Sequence, residues 1–234
     1  MGPARQVKSI GIIPARGGSK NIKNKNLIKI GKKNLIEIAY VVAKKSRKFH
    51  RIVCSTDSEK IINFCKAKKI PFIKRPAKLA KDNSNVVDAV LHVLNFEKKK
   101  YDIVGLLQPT SPFLKIKNIR DVINFLEKNK KHNSCQTVHK TPHNYHYLNT
   151  RILKGGNINF KFEKLRMKKF NKQKKTQTYN FGNFLACRVK TLLKTKNLFC
   201  NPCYHKIIDR ASSYDLDSKD DLIFAKFINR FNTN

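Results

Sequence analysis

The chain has 234 residues, 40% of them hydrophobic, with 51 Lys and Arg against 15 Asp and Glu and a formal charge of +36. That length suits one sizeable α/β domain, spanning residues 1–234, and no apolar run is long enough to cross a bilayer. No signal peptide with a hydrophobic middle is visible, and the cysteines at 54, 65, 135, 187, 200 and 203 lack the spacing of a disulfide framework, so the reducing cytoplasm is the expected location.

Ile10 to Ile13 is a short apolar run of the kind that makes a buried parallel strand, and Pro14, with no N–H to donate, is expected to end its ladder. Arg16, Gly17, Gly18, Ser19 and Lys20 follow, two residues without a Cβ flanked by cations and a hydroxyl. Such a loop can turn successive N–H groups toward an anion, a phosphate chain being the natural guest. A solvated glycine turn is the plainer alternative, because neither Gly-x4-Gly-Lys-Ser/Thr nor Gly-x-Gly-x-x-Gly is present.

Asn34 precedes an amphipathic helical pattern through Val42 and is a candidate N-cap. Residues 51–57 read as a strand and 58–68 as a helix capped by Asp57 or Ser58; 71–74 is a third strand. After a polar loop, Ser84 opens a helix with Val86, Val87, Val90, Leu91, Val93 and Leu94 on its buried side. Residues 102–107 form a fourth strand with Gln108 at its carboxyl end, and 116–129 a further helix. Cys135 to His139 reads as a strand, Gly155-Gly156-Asn157 as a hairpin turn, 180–189 as a core strand and 218–231 as a closing helix. This alternation predicts a parallel sheet covered by helices. Asp215 and Asp217, two apart in extended chain, point to the same side and can share a hard cation, or else cap the helix that follows. His139, His143 and His146 invite a metal reading but suit a polar surface better, and Cys200-x-x-Cys203 has no second ligand pair beyond His205.

The segment Pro14-Ala15-Arg16-Gly17-Gly18-Ser19-Lys20, with Lys25-Asn26-Leu27, closely resembles the nucleotide-binding loop of the acylneuraminate (CMP-sialic acid) cytidylyltransferases. Ser55-Thr56-Asp57, Arg75-Pro76-Ala77-x-Leu79-Ala80, Leu106 to Pro112 and Asp215-Leu216-Asp217 with Asp221-Leu222 match the same family in the same order. The resemblance covers roughly residues 8–230. It implies a Rossmann-like α/β fold, a mostly parallel sheet flanked by helices, with a β-rich excursion over about 134–180 that packs against a second protomer in a homodimer.

The resemblance further implies CMP transfer from CTP to an acidic 2-keto sugar. Arg16, Ser19, Lys20 and Lys25 would hold the triphosphate over Gly17 and Gly18, with Arg16, Lys20 and Lys25 as the charge-stabilising catalytic groups. Asn26, Arg75 and Ser84 would fix the cytidine, Gln108 would face the sugar, and Asp215 and Asp217 would bind Mg²⁺. Leu114 and Lys115 stand where the family usually has an arginine, and Asn180 to Leu185 replaces its Asn-Gly-Ala-x-Tyr segment. Lys172 is the substitute for the arginine that meets the sugar carboxylate. Two other readings remain: a basic nucleic-acid-binding protein on the same fold, since lysines can neutralise phosphates, and a CTP-binding relative with altered acceptor or no turnover. The lysines are spread over every element, as a solvated surface would have them.

Overall fold

The computed structural model describes residues 6–169, 171, 173 and 175–231. Its first strand, β1 (Ser9–Pro14), is buried on both faces. Ile12 and Ile13, adjacent in sequence, point to opposite sides of the sheet because strand side chains alternate. Ile13 joins a core layer with Ile36, Ile61, Ile119, Ile123 and Leu126. Ile12 joins the other layer with Val87, Val90, Val93 and Leu192.

A small ribbon of β2 (Lys29–Ile30) and β3 (Lys33–Asn34) leads into α1 (Leu35–Ser46). Then come β4 (Arg51–Thr56), α2 (Glu59–Ala67), β5 (Phe72–Lys74), α3 (Val86–Phe96), β6 (Ile103–Leu107), α4 (Ile116–Lys128) and β7 (Ser134–Lys140). The hairpin β8 (Arg151–Lys154) and β9 (Asn157–Phe160) and the short α5 (Glu163–Lys168) precede β10 (Tyr179–Arg188), α6 (Val189–Thr195), β11 (Cys203–Ile207) and α7 (Lys219–Phe231). The main sheet has seven strands in the order β11-β7-β10-β6-β1-β4-β5. Only β10 runs antiparallel to its neighbours. Residues of α1, α2 and α4 cover one face, and those of α3 and α6 the other, so the sheet is the mostly parallel, helix-flanked one expected from the alternation.

Several local expectations change in detail. The β1 ladder continues one bond past Pro14, because the Ala15 N–H donates to the Ser55 carbonyl at 2.9 Å. Asn34 precedes α1 but its side chain turns back to the Leu27 carbonyl instead of capping the helix. Asn85, not Ser84, caps α3, its Oδ1 accepting from the Val87 N–H at 3.0 Å. The expected excursion of 134–180 narrows to 141–178, since β7 and the start of β10 pair with each other inside the main sheet. Within it, Gly155 and Gly156 take φ of 57° and 77° at the β8–β9 turn, where side chains with a Cβ are strained. All six cysteines are free thiols. Among the described residues no helix is long and apolar enough to cross a membrane, and no group of three or more His, Cys, Asp or Glu side chains is gathered to hold a metal.

Candidate active site

Parallel strands end on a common edge, and here the chain after β1, β5 and β6 meets in a cleft of about 310 Å³. Arg16, Lys25, Asn26, Arg75, Ser84 and Gln108 all line it. The glycine loop is tied down from two directions. Gly17 N–H donates to Asp57 Oδ1 at 3.0 Å, and Asn26 Nδ2 donates to the Arg16 carbonyl at 2.9 Å. One of the loop's N–H groups is therefore spent on Asp57 rather than left for an anion. The need for glycine at 17 is steric: a Cβ there would stand 2.7 Å from Ser58 Cβ, whereas one at Gly18 would meet nothing within 4 Å. Asp57 thus serves as a loop anchor and not as the cap of α2, whose N-cap is Ser58 without a side-chain bond.

Arg75 is 6% exposed, follows β5, and is fixed by its own N–H to the Thr56 carbonyl at 2.8 Å. Its Nη2 lies 3.8 Å from Asp57 Oδ1, and its Nε is buried without a hydrogen-bond partner. Burial pulls the guanidinium below its ordinary value, against the opposing pull of Asp57. Arg75 lines the cleft, where guanidinium N–H groups are suited to a ligand's acceptor. Ser84 Oγ donates to the Lys78 carbonyl at 3.0 Å, leaving the oxygen's lone pairs as acceptors beside the cleft.

The acidic loop arrives from far along the chain. Lys25 Nζ, largely buried, sits 2.9 Å from Asp217 Oδ1, and Asn21 Nδ2 donates to the Asp217 carbonyl at 3.3 Å. The Leu216 N–H donates to the Thr110 carbonyl at 2.9 Å, strapping the loop to the segment just after Gln108. The two carboxylates and the glycine pair therefore lie on the same side of the molecule. Neither carboxylate caps α7: Ser218 and Asp221 do that reciprocally, the Asp221 N–H donating to Ser218 Oγ at 3.1 Å and the Ser218 N–H to Asp221 Oδ2 at 2.8 Å. Asp215 Oδ1 is buried with no hydrogen-bond partner. Burial pushes its carboxyl up, a Thr110 hydrogen bond opposes that, and Asp217 adds to it. An orphaned buried acceptor beside a second carboxylate fits a hard cation whose remaining ligands are phosphate oxygens and water.

Ser19 and Lys20 do not line the cleft itself; Lys20 reaches its rim through Asp82, with Nζ to Oδ2 at 3.0 Å. Lys172 lies outside the described residues. His139 sits near the end of β7 with its Nδ1 buried and without a partner, and burial, reinforced by Arg210, lowers its pKa. His146 instead hydrogen-bonds the Thr176 carbonyl at 3.1 Å and the Leu148 N–H at 3.3 Å, a structural role inside the excursion. Two participants escaped the sequence reading. Thr110 holds both the acidic loop and Asp215, and Asp82 joins Arg16 and Lys20; the one hint to Asp82 was a lone acid in an otherwise basic and neutral loop.

Residues 10–180 match the profile of a family described as Cytidylyltransferase. An N-acylneuraminate cytidylyltransferase of Escherichia coli O18:K1:H7 is 29% identical over 228 residues, covering 94% of this chain and 52% of that protein. This chain thus spans about half the length of that relative. A pseudaminic acid cytidylyltransferase of Campylobacter jejuni serotype O:23/36 is 30% identical over 233 residues, covering 97% of this chain and 98% of that one. The solved structure of a CMP:2-keto-3-deoxy-manno-octonic acid synthetase complexed with CTP superposes with a TM-score of 0.73 over 96% of this chain and 99% of that chain; at 13% identity the likeness is one of fold.

Proposed function

Because this chain belongs to the cytidylyltransferase family, we propose that it transfers CMP from CTP to the anomeric hydroxyl of an acidic, sialic-acid-like 2-keto sugar and releases pyrophosphate. The hydroxyl oxygen, giving up its proton to solvent, bonds to the α-phosphorus as the bond from that phosphorus to the bridging oxygen of the departing pyrophosphate breaks. The protein's work in such a step is positioning and charge stabilisation. Arg16 and Lys25, with Lys20 at the rim, bind the phosphate oxygens on which negative charge gathers. Arg75, Asn26 and Ser84 bind and orient the nucleoside, and Gln108 faces the acceptor. Asp215 and Asp217 are the residues to hold Mg²⁺, which neutralises phosphate charge when bound.

The observation that carries this reading is the Lys25–Asp217 contact of 2.9 Å, since it joins the cationic cleft to the paired carboxylates. We assign the excursion at 141–178 as the surface for a second copy of the chain, supported by the exposed apolar side chains of Leu153, Ile158 and Met167. The deciding experiment incubates purified protein with CTP, Mg²⁺ and a panel of N-acetylneuraminate, legionaminate and pseudaminate, and measures pyrophosphate. Release with at least one acid is expected. Silence with every acid, despite measured CTP binding, would overturn the assignment of a transferase.

A further inference from the structure

Asp82 has no part in the chemistry described above, yet it is the carboxylate most directly opposed to the loop cations. It stands between β5 and α3, on the wall facing the glycine loop. Its Oδ1 lies 2.9 Å from Arg16 Nη1 and its Oδ2 3.0 Å from Lys20 Nζ. The same Arg16 Nη1 donates to the Lys81 carbonyl at 3.2 Å, so this wall holds the arginine through two acceptors. The Lys20 ammonium, ahead of Arg16, keeps the Asp82 carboxyl below the usual carboxylate range, so it is an anion throughout the neutral range.

Carboxylate and phosphate oxygens compete for the same donors. Guanidinium and ammonium N–H groups bind either anion with similar geometry. N–H groups already directed at Asp82 must turn from it before they can serve a phosphoryl oxygen fully. We propose that Asp82 is a built-in counter-ion that competes with the triphosphate for Arg16 and Lys20. It holds both cations in place while the cleft is empty, yields them when the nucleotide enters, and recaptures them as pyrophosphate departs. This rests on the reading of the cleft as a CTP site and deepens it. One consequence is selectivity: a polyphosphate can displace the carboxylate, whereas an anion of single charge gains little by doing so. The second is faster product release, because the departing anion is replaced rather than leaving two cations unpaired.

Both ion pairs are open to solvent, with Lys20 74% and Asp82 52% exposed, so the competition is gentle. Removing it should tighten polyphosphate binding by about two- to ten-fold. The experiment is calorimetric titration of the full chain, wild type, Asp82→Asn and Asp82→Glu, with CTP, inorganic pyrophosphate and cytidine, in EDTA and again with Mg²⁺. In EDTA, Asp82→Asn is expected to bind CTP and pyrophosphate more tightly and cytidine as before, while Asp82→Glu behaves as wild type. Unchanged or weaker pyrophosphate binding by Asp82→Asn would overturn the proposal. Weakening confined to the Mg²⁺ series would also overturn it, by making Asp82 a cation ligand. If folded wild-type protein binds no CTP, the substrate reading and this inference fall together; if it binds CTP and Asp82→Asn shows no gain, only the inference falls.

Discussion

Lys20 and Asp217 are each paired with a residue that lines the cleft, Lys20 with Asp82 and Asp217 with Lys25. Both side chains are well exposed, so truncation leaves the core untouched. Lys20→Ala and Asp217→Ala are each expected to lower turnover by about 10²-fold, the cost typical of losing one charge-stabilising group, while circular dichroism and thermal unfolding stay as in wild type. Wild-type rates in both would refute their placement in the machinery. Asp209 makes a different residue-scale case. Partial burial works to raise its carboxyl, but hydrogen bonds from Ser212 and the Lys115 ammonium overcome that and hold it at about 2, against an ordinary 3.8. A carboxyl depressed by folding stabilises the protein above its unfolded pKa, and that contribution fades as pH falls from 3.8 toward about 2. Asp209→Asn should therefore lower stability at pH 7 by no more than about 1 kcal/mol, given the side chain's exposure. In urea unfolding, the gap from wild type should close as the pH drops through that window. A gap that persists unchanged into acid would assign the effect to shape rather than charge.

At the scale of elements, α7 starts where it does because Ser218 and Asp221 satisfy each other's backbone N–H groups, and that start fixes the loop carrying Asp215 and Asp217. Ser218→Ala is expected to cost about 1 kcal/mol of stability and to lower activity with it, as the acidic loop loosens. Chemical denaturation and a pyrophosphate assay check this, and a fully stable variant would refute the cap. Elements such as β1 and β6 were legible in the sequence, because strands buried on both faces must be apolar throughout. The helix expected at 116–129 was legible too, because Ile119, Val122, Ile123 and Leu126 recur at helical spacing and are buried on one face of α4. The ribbon β2–β3 was not, since two residues per strand leave no period to read. Caps failed where a side chain had a better offer elsewhere, as with Asn34 turning to Leu27. In the cleft, Arg16 was legible from the glycine loop's chemistry and Lys25 and Arg75 from the family resemblance, whereas Asp82 and Thr110 act through partners distant in sequence that only folding brings near.

Across the whole molecule, the charge of +36 coexists with a cleft whose cations are largely paired to Asp57, Asp82 and Asp217. The excess therefore belongs mostly to solvated surface, where a positive field attracts anions in a salt-dependent way. The proposed dimer is testable at this scale. Leu153 is 81% exposed on β8, so Leu153→Lys disturbs no internal packing. It is expected to shift the protein from dimer to monomer in analytical ultracentrifugation; an unchanged dimer would move the interface elsewhere. Finally, β10 is the strand that runs against the others, and its first residue, Tyr179, stands opposite Lys140 at the end of β7. Both ends of the segment between them thus lie at the carboxyl edge of the parallel strands, the edge that carries the cleft. If the proposed transfer holds, exchanging that segment is expected to change which sugar acid is accepted while leaving the contacts of Arg16 and Lys25 in the cleft as they are.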